Sequence, residues 1–372
     1  MGDTHAQSQA LINYVNSHGG LAGRQIVPIW HDVSSVTYNT NPQSSAQAEC
    51  AAWTQDSHLF AAINVLSYPP NAVACLAQKH TVALSSAAAG PVETSELQTY
   101  SPYYFAPGMA DSGHFVGPFI DELVREGYFG KWDSVTGKAG VAPVRIGVLY
   151  AADRSDLLGL TKTALARHGL SVTDSFYLAS SSDASQLAAA ALRFKADGVT
   201  HVLTYGFLSV FPAVAATQGY YPRYGVSSWD GLQTAVSSGS PRDFAGALGV
   251  GWTPFEDVGA AQAPAKSPAE RKCLSIMAAA RQTTTNRTTD AVMAVQCDQF
   301  FLLRDALAGG GPLTPTLLAQ GIEALGSRFS SALSFGERFG PDRHAGVAAF
   351  RPLGYDGGCS CFRYTGSAVA FS

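Results

Sequence analysis

Residues 145–178 read RIGVLYAADRSDLLGLTKTALARHGLSVTDSFYL. Arg145–Tyr150 is an apolar run of strand length. Ser155–His168 carries apolar residues at helical spacing and stops at Gly169, the residue type that most readily ends a helix. Val172–Tyr177 reads as a second strand. A strand, a helix and a strand in so short a span describe a crossover, which joins parallel rather than antiparallel neighbours. The theme continues downstream with a helix at Asp183–Ala196, a strand at His201–Thr204 and a helix at Ser209–Gln218. Strands at Tyr224–Ser227 and Ala247–Trp252 follow. Apart from Val172–Tyr177, with Thr173, Asp174 and Ser175 inside it, the runs are mainly apolar, as expected of strands covered on both faces.

The same alternation precedes this stretch. Ala6–Ser17 reads as an amphipathic helix stopped by Gly19-Gly20, and Ile26–Trp30 as a strand. Asn41-Pro42 has the chemistry of a helix cap with proline in the first turn, opening a helix towards Gln55. Leu59–Leu66 is a strand, Asn71–Lys79 a helix and Thr81–Ser85 a strand. Between the two series, Gly127–Val144 is rich in Gly and polar residues and reads as a loop. Three helices are expected late, at Pro268–Ala280, Asp290–Ala308 and Thr314–Leu325. From Phe335 onward the chain is Gly-rich and aromatic, suiting short strands and turns. The expected fold is therefore α/β, two similar lobes, each a parallel sheet with helices on both faces.

An internal echo supports two lobes built alike. Val65-Leu66-Ser67-Tyr68 is followed by Leu84-Ser85-Ser86, and Val202-Leu203-Thr204-Tyr205 by Val226-Ser227-Ser228. Each set places hydroxyl groups where strands end. The carboxyl edge of an open α/β sheet is where ligands bind.

Composition excludes several function classes. The 372 residues suffice for two α/β domains. Hydrophobic residues make up 46% and charged residues 14%, a globular balance. The net charge of −4 comes without a basic cluster, so phosphate neutralisation on nucleic acid has no support. No apolar stretch reaches the roughly 18 residues needed to span a bilayer. Catalytic signatures are equally scarce: GxxxxGK[ST], GxSxG and HExxH do not occur. The glycines of Gly246–Gly251 have the wrong order for a dinucleotide fingerprint and read as a strand approaching its neighbours closely. The nine histidines are scattered. Asp153, Asp156 and Asp230 offer carboxylates, but their spacing demands no acid–base pair. No enzyme activity, cofactor or metal is expected.

The six cysteines, Cys50, Cys75, Cys273, Cys297, Cys359 and Cys361, include no CxxC pair. Zinc-type spacing is lacking, although a metal site involving Cys359-Ser360-Cys361 stays open at this point. Disulfides in an exported protein are the better reading.

The stretch Ala10–Arg24, with its helix, Asn16, Gly19-Gly20 and Ala22-Gly23-Arg24, resembles the opening of the Leu/Ile/Val-binding-protein family, type I periplasmic solute-binding proteins. Arg145–Asp156 is similar to the first strand and ligand loop of that family's second lobe. Ala213–Asp230, with Gln218-Gly219-Tyr220 and Ser228-Trp229-Asp230, is similar to the stretch leading to its pocket acid, and Asp298–Leu325 to its late helix pair. The resemblance implies three crossings between lobes, near Met109, Phe255 and Phe335. The lobes are then residues 1–109 with 256–335, and 110–255 with 336–372. It further implies an extracytoplasmic, periplasmic or lipoprotein, solute receptor of an ABC importer. Such a receptor is monomeric, closes on a small molecule and docks on a membrane permease. Members of the family begin with a strand and ligand loop before the first helix. Here the helix starts within about ten residues of Met1, so a leader and a central strand are expected to be missing from this chain.

The resemblance also implies the ligand set. Ser67, Tyr68, Ser86 and Ala87 would hold a ligand carboxylate from the first lobe, in the manner of helix N-termini. Ser67 and Ser86 read equally well as caps or turn residues. Asp230 would take a ligand ammonium, although it too could be a helix cap. Asp153, Tyr205, Phe207 and Trp229 sit at strand ends and complete the expected cleft. Family members bridge at the place of Cys50 and Cys75; with that pairing, Cys273 with Cys297 would staple two helices of the same lobe, and Cys359 with Cys361 would form a tight local ring. A sensor or regulator domain on the same fold is the main alternative function, and a small-molecule enzyme the lesser one.

Overall fold

The computed structural model describes residues 3–65, 71–85, 92–179, 183–284 and 287–371. The chain divides into two compact units, Met1–Ala110 with Ala265–Ala348, and Asp111–Pro264 with Ala349–Ser372.

In the first unit three parallel strands, β1 (Ala61–Val65), β2 (Val82–Ser85) and β3 (Tyr104–Phe105), lie in that order. Local chemistry starts the helices around them. The Asp3 carboxylate accepts from the Ala6 N–H at 3.0 Å and opens Thr4–Ser17. The Asn41 side chain accepts from the Ser44 N–H and, with Pro42 behind it, opens Pro42–Ala51. Helix Thr4–Ser17 buries Leu11, Ile12 and Val15 and packs on helices Pro268–Ala279 and Arg287–Ala306. Val65, Val73, Leu76 and Tyr104 form part of the core, all without solvent exposure. Cys50–Cys75 joins helices Pro42–Ala51 and Asn71–Gln78, and Cys273–Cys297 joins Pro268–Ala279 to Arg287–Ala306.

Ile26–Trp30 is not a strand. Among the described residues β1 pairs only with β2, and Val27 stands 80% exposed. Strand propensity is expressed only where a neighbour exchanges backbone hydrogen bonds. Here the Asn16 amide takes both backbone groups of Ile26, at 2.7 and 3.0 Å, and ties the segment to the end of the first helix instead.

The third crossing lies at Ala348/Ala349, not near Phe335. Residues 336–348 fold back as a narrow loop in which Arg338 N–H donates to Gly346 and Ala348 N–H to Gly336. This loop pairs with the first crossing, since Ala106 N–H donates to His344 and Val347 N–H to Met109. Glu337 completes the join, accepting from the Gly108 N–H at 3.0 Å and the Ser334 hydroxyl at 3.1 Å. Next to it Asp298 accepts from the Ala332 and Leu333 N–H groups and the Ser331 hydroxyl.

Burial pushes Asp298 up to about 7; burial and then the Asp298 charge push Glu337 up to about 8. Both values lie above those of the unfolded chain, so the native state keeps protons that the unfolded state has released. That contribution to stability is complete below the unfolded values and is lost as pH rises through the folded ones. Urea unfolding is therefore expected to show lower stability at pH 8.5 than at pH 6.5. Glu337→Gln, which keeps the acceptor and cannot ionise, should reduce the slope without abolishing it, since burial raises Asp298, Asp230 and Asp257 in the same way. An equal slope in the variant would count against this pair.

The second unit carries an antiparallel hairpin, β4 (Trp132–Asp133) with β5 (Lys138–Ala139), inside the stretch read as a loop. Its main sheet comprises β6 (Ile146–Ala151), β7 (Val172–Leu178), β8 (His201–Thr204), β9 (Arg223–Ser227), β10 (Leu248–Gly251), β11 (Ala349–Asp356) and β12 (Cys361–Tyr364). A short β13 (Val369–Ala370) pairs with β11. The order is β12-β11-β10-β9-β8-β6-β7, parallel from β7 to β10 and antiparallel beyond. Asp183 caps helix Ala184–Ala196 by accepting from the Ser185 and Gln186 N–H groups. Leu149, Phe194, Val202, Phe211 and Tyr224 belong to the core. Gly249 is the closest approach in the sheet: a Cβ there would stand 1.8 Å from the Val226 carbonyl oxygen.

Candidate functional site

β7 and β8 flank β6 on opposite sides. The sheet therefore has a topological switch point between β6 and β8, and the crevice outside the carboxyl ends of such strands is the expected ligand position. The residues that leave the sheet there are Ala152 and Asp153 after β6, Tyr205–Phe207 after β8, Ser228–Asp230 after β9, and Trp252 after β10.

An aromatic cluster occupies this edge. Trp229 lies 4.2 Å from Phe115, 5.9 Å from Trp252 and 6.2 Å from Tyr205, measured between ring centroids. Phe115 comes from helix Ser112–Arg125, whose cap Asp111 accepts from the His114 N–H at 3.1 Å. Tilted and edge-to-face contacts of this kind hold rings in fixed positions. The Trp229 indole N–H is buried and meets no hydrogen-bond partner among the described residues. A buried donor without a partner is costly, and an acceptor on a bound molecule would satisfy it.

The strand-end residues divide by environment. Asp153 is exposed. Tyr205 is buried, with its hydroxyl 2.6 Å from that of Thr161, and burial raises its ionisation well above the ordinary phenol range. Phe207 is buried in the core of the unit. Asp230 is buried and engaged by its own backbone. One carboxylate oxygen accepts from the Ser227 N–H at 2.8 Å, the other from the Gly206 N–H at 3.0 Å. Burial pushes this carboxyl up to about 7 against the pull of those bonds. Its first role is to cap the short turn Ser228–Asp230 and to fasten the loop after β8 to the loop after β9. Ser67, Tyr68, Ser86 and Ala87 lie outside the described residues.

Other members of this edge escaped the sequence reading. Trp252 follows β10 as Trp229 follows β9, so the same strand-end rule finds it. Ser228 accepts the Trp252 N–H at 2.8 Å and ties the two tryptophan segments together. Asp257 accepts from the Thr253 N–H at 3.0 Å and the Tyr364 hydroxyl at 2.7 Å, and burial pushes it up to about 7. Phe115 and Asp257 arrive from helices, and no spacing along the chain announces their meeting with the sheet edge.

The periplasmic binding protein family matches residues 4–358, nearly the whole chain. The chain belongs to that family. As a periplasmic binding protein it falls in a class that binds solutes and resides outside the cytoplasm. Its fold is the type I fold of solved relatives. It superposes on a possible leucine/isoleucine/valine-binding protein from Rhodopirellula baltica SH 1 with TM-score 0.66 and 15% identity, over 99% of this chain and 91% of that one. The substrate-binding protein of an ABC transporter from Aeropyrum pernix gives TM-score 0.71 at 11% identity, over 99% and 91%. An ABC transporter substrate-binding protein from Desulfitobacterium hafniense in complex with Leu gives 0.63 at 15%, over 97% and 94%. No curated protein matches the chain in sequence. Among the described residues of this periplasmic binding protein, no helix is long and apolar enough to cross a membrane, and no cluster of His, Cys, Asp and Glu could hold a metal ion.

Proposed function

We propose that the protein is the extracytoplasmic solute-binding component of an ABC importer and takes a small carboxylate-bearing molecule, an amino acid or an aromatic acid. The observation that carries this reading is the aromatic cluster at the switch point, with the unpartnered Trp229 N–H among its rings. A polar group set in an apolar wall is the usual make-up of a small-molecule site. The family membership agrees with it. Asp153, exposed at the end of β6, and Trp229 are the second-unit contacts, with the aromatic ring stacking on the ligand. Ser67, Tyr68, Ser86 and Ala87 are assigned the carboxylate by family resemblance alone.

A thermal-shift screen of amino acids and aromatic carboxylic acids tests the class. A ligand at 100 times its Kd should add about 2.7 kcal/mol to apparent stability. Trp229→Ala should then weaken that ligand by about tenfold or more while the variant stays folded by circular dichroism. If neither compound class shifts the transition, the proposed ligand class is wrong. If Trp229→Ala binds as tightly as the parent, the site is elsewhere.

A further inference from the structure

The three disulfides differ in setting. Cys50, Cys273 and Cys297 are buried, and the bonds they make join separate helices 24 or 25 residues apart. Cys359–Cys361 spans two residues, at the turn between β11 and β12, and Cys359 is exposed to solvent. Ser360, between them, holds a left-handed backbone with φ 52°, a conformation that non-glycine residues rarely adopt.

The turn has other ties besides this bond. Asp356 pairs with Cys361 and Tyr355 with Phe362 in the β11–β12 ladder. The Asp356 carboxylate accepts from the Gly358 N–H at 2.8 Å and pairs with Arg363 at 2.6 Å. A ring of so few residues also removes little freedom from the unfolded chain, whereas the two longer bridges remove much more.

We propose that Cys359–Cys361 is a reversible thiol-exchange site, acting on small thiols or dithiol proteins, while the two helix-joining disulfides are structural. A thiolate RS⁻ attacks Cys359 Sγ. The S–S bond breaks, a mixed disulfide Cys359–SR forms and Cys361 leaves as thiolate. A second RS⁻ attacks the mixed disulfide at the R sulfur, releasing RSSR and the Cys359 thiolate. Two protons from water convert both thiolates to thiols, so two electrons pass from two RS⁻ to the protein. Exchange of this kind needs access to a sulfur and a fold that tolerates the open form. Cys359 is exposed, and the ladder with the Asp356 contacts gives the turn ties that do not pass through the sulfurs. Reoxidation reverses the steps, because the ladder keeps the two cysteines adjacent.

The test is a dithiothreitol titration of the folded protein at pH 8, trapped with N-ethylmaleimide and read by peptide mass. Cys359 and Cys361 should be labelled at a dithiothreitol concentration at least tenfold below that needed for Cys50, Cys75, Cys273 and Cys297. The selectively reduced protein should unfold in urea as the oxidised one does, and diamide should restore the bond. In the double variant C359S/C361S the low-reductant labelling should vanish without change in the other four. Labelling of all six together would overturn the proposal. So would labelling of Cys359 and Cys361 last, or loss of the second unit's fold on selective reduction.

Discussion

Gly249→Ala is expected to prevent the second unit from folding stably. Gly249 pairs with Val226 in the parallel ladder of β9 and β10. A methyl group at this position would meet the Val226 carbonyl oxygen at 1.8 Å and its carbonyl carbon at 2.7 Å. The obstacle is backbone, so no rotamer change relieves it. The strands would have to separate, and a parallel sheet covered on both faces gives buried N–H and C=O groups nothing else to pair with. The expected loss is about 4 kcal/mol or more, in the range reserved for steric conflict in a packed core. Chemical denaturation of the variant, or its failure to accumulate as soluble protein, checks this. Gly309→Ala is the control, since a Cβ there meets nothing within 4 Å. Wild-type stability in Gly249→Ala would show that the two strands are not held at this separation.

Asp230→Ala is the second large effect, and it separates two roles. The carboxylate accepts from the Ser227 and Gly206 N–H groups in a buried setting. Each of the two donors stranded without an acceptor costs about 1–3 kcal/mol, so a loss of roughly 2–6 kcal/mol is expected in urea unfolding. Asp230→Asn, which keeps one carbonyl acceptor, should lose less. If the carboxylate instead served mainly a ligand ammonium, removing it would leave stability nearly intact and weaken binding by several kcal/mol. Unfolding curves and calorimetry on the same variant distinguish the two. An unchanged unfolding curve would overturn the capping role.

Much of the architecture is legible in the chain because its causes are local. Apolar runs of four to seven residues alternate with amphipathic helices, and this alone calls for a parallel sheet between helical layers. Asn41-Pro42 before one helix, Asp183 before another and Gly169 after a third mark boundaries through hydrogen bonds to residues within three or four positions. Strand ends at Asp153, Tyr205 and Trp229 follow directly, and so does their place on one edge of the sheet.

What the residues at that edge do was not legible. Tyr205, Phe207, Trp229 and Asp230 all follow apolar strands, yet Phe207 turns into the core, Tyr205 bonds Thr161, and Asp230 is taken up by two backbone N–H groups. Those fates depend on Thr161, Phe115 and Gly206, which lie on other elements and come close only when the sheet and its helices pack. Trp252 was within reach of the strand-end rule, and Phe115 was not.

By itself the sequence determined the fold class, the helix caps and the carboxyl edge that carries the candidate site, since each rests on periodicity or on a bond between near neighbours. The tertiary structure alone decided that Ile26–Trp30 leaves the sheet, that residues 336–348 stay with the first unit, and that Asp230 serves the backbone first. The reason is common to all three. Strand pairing and the satisfaction of buried polar groups are settled by partners distant in the chain, and a residue's own type states what it can bond, not what folding brings to it.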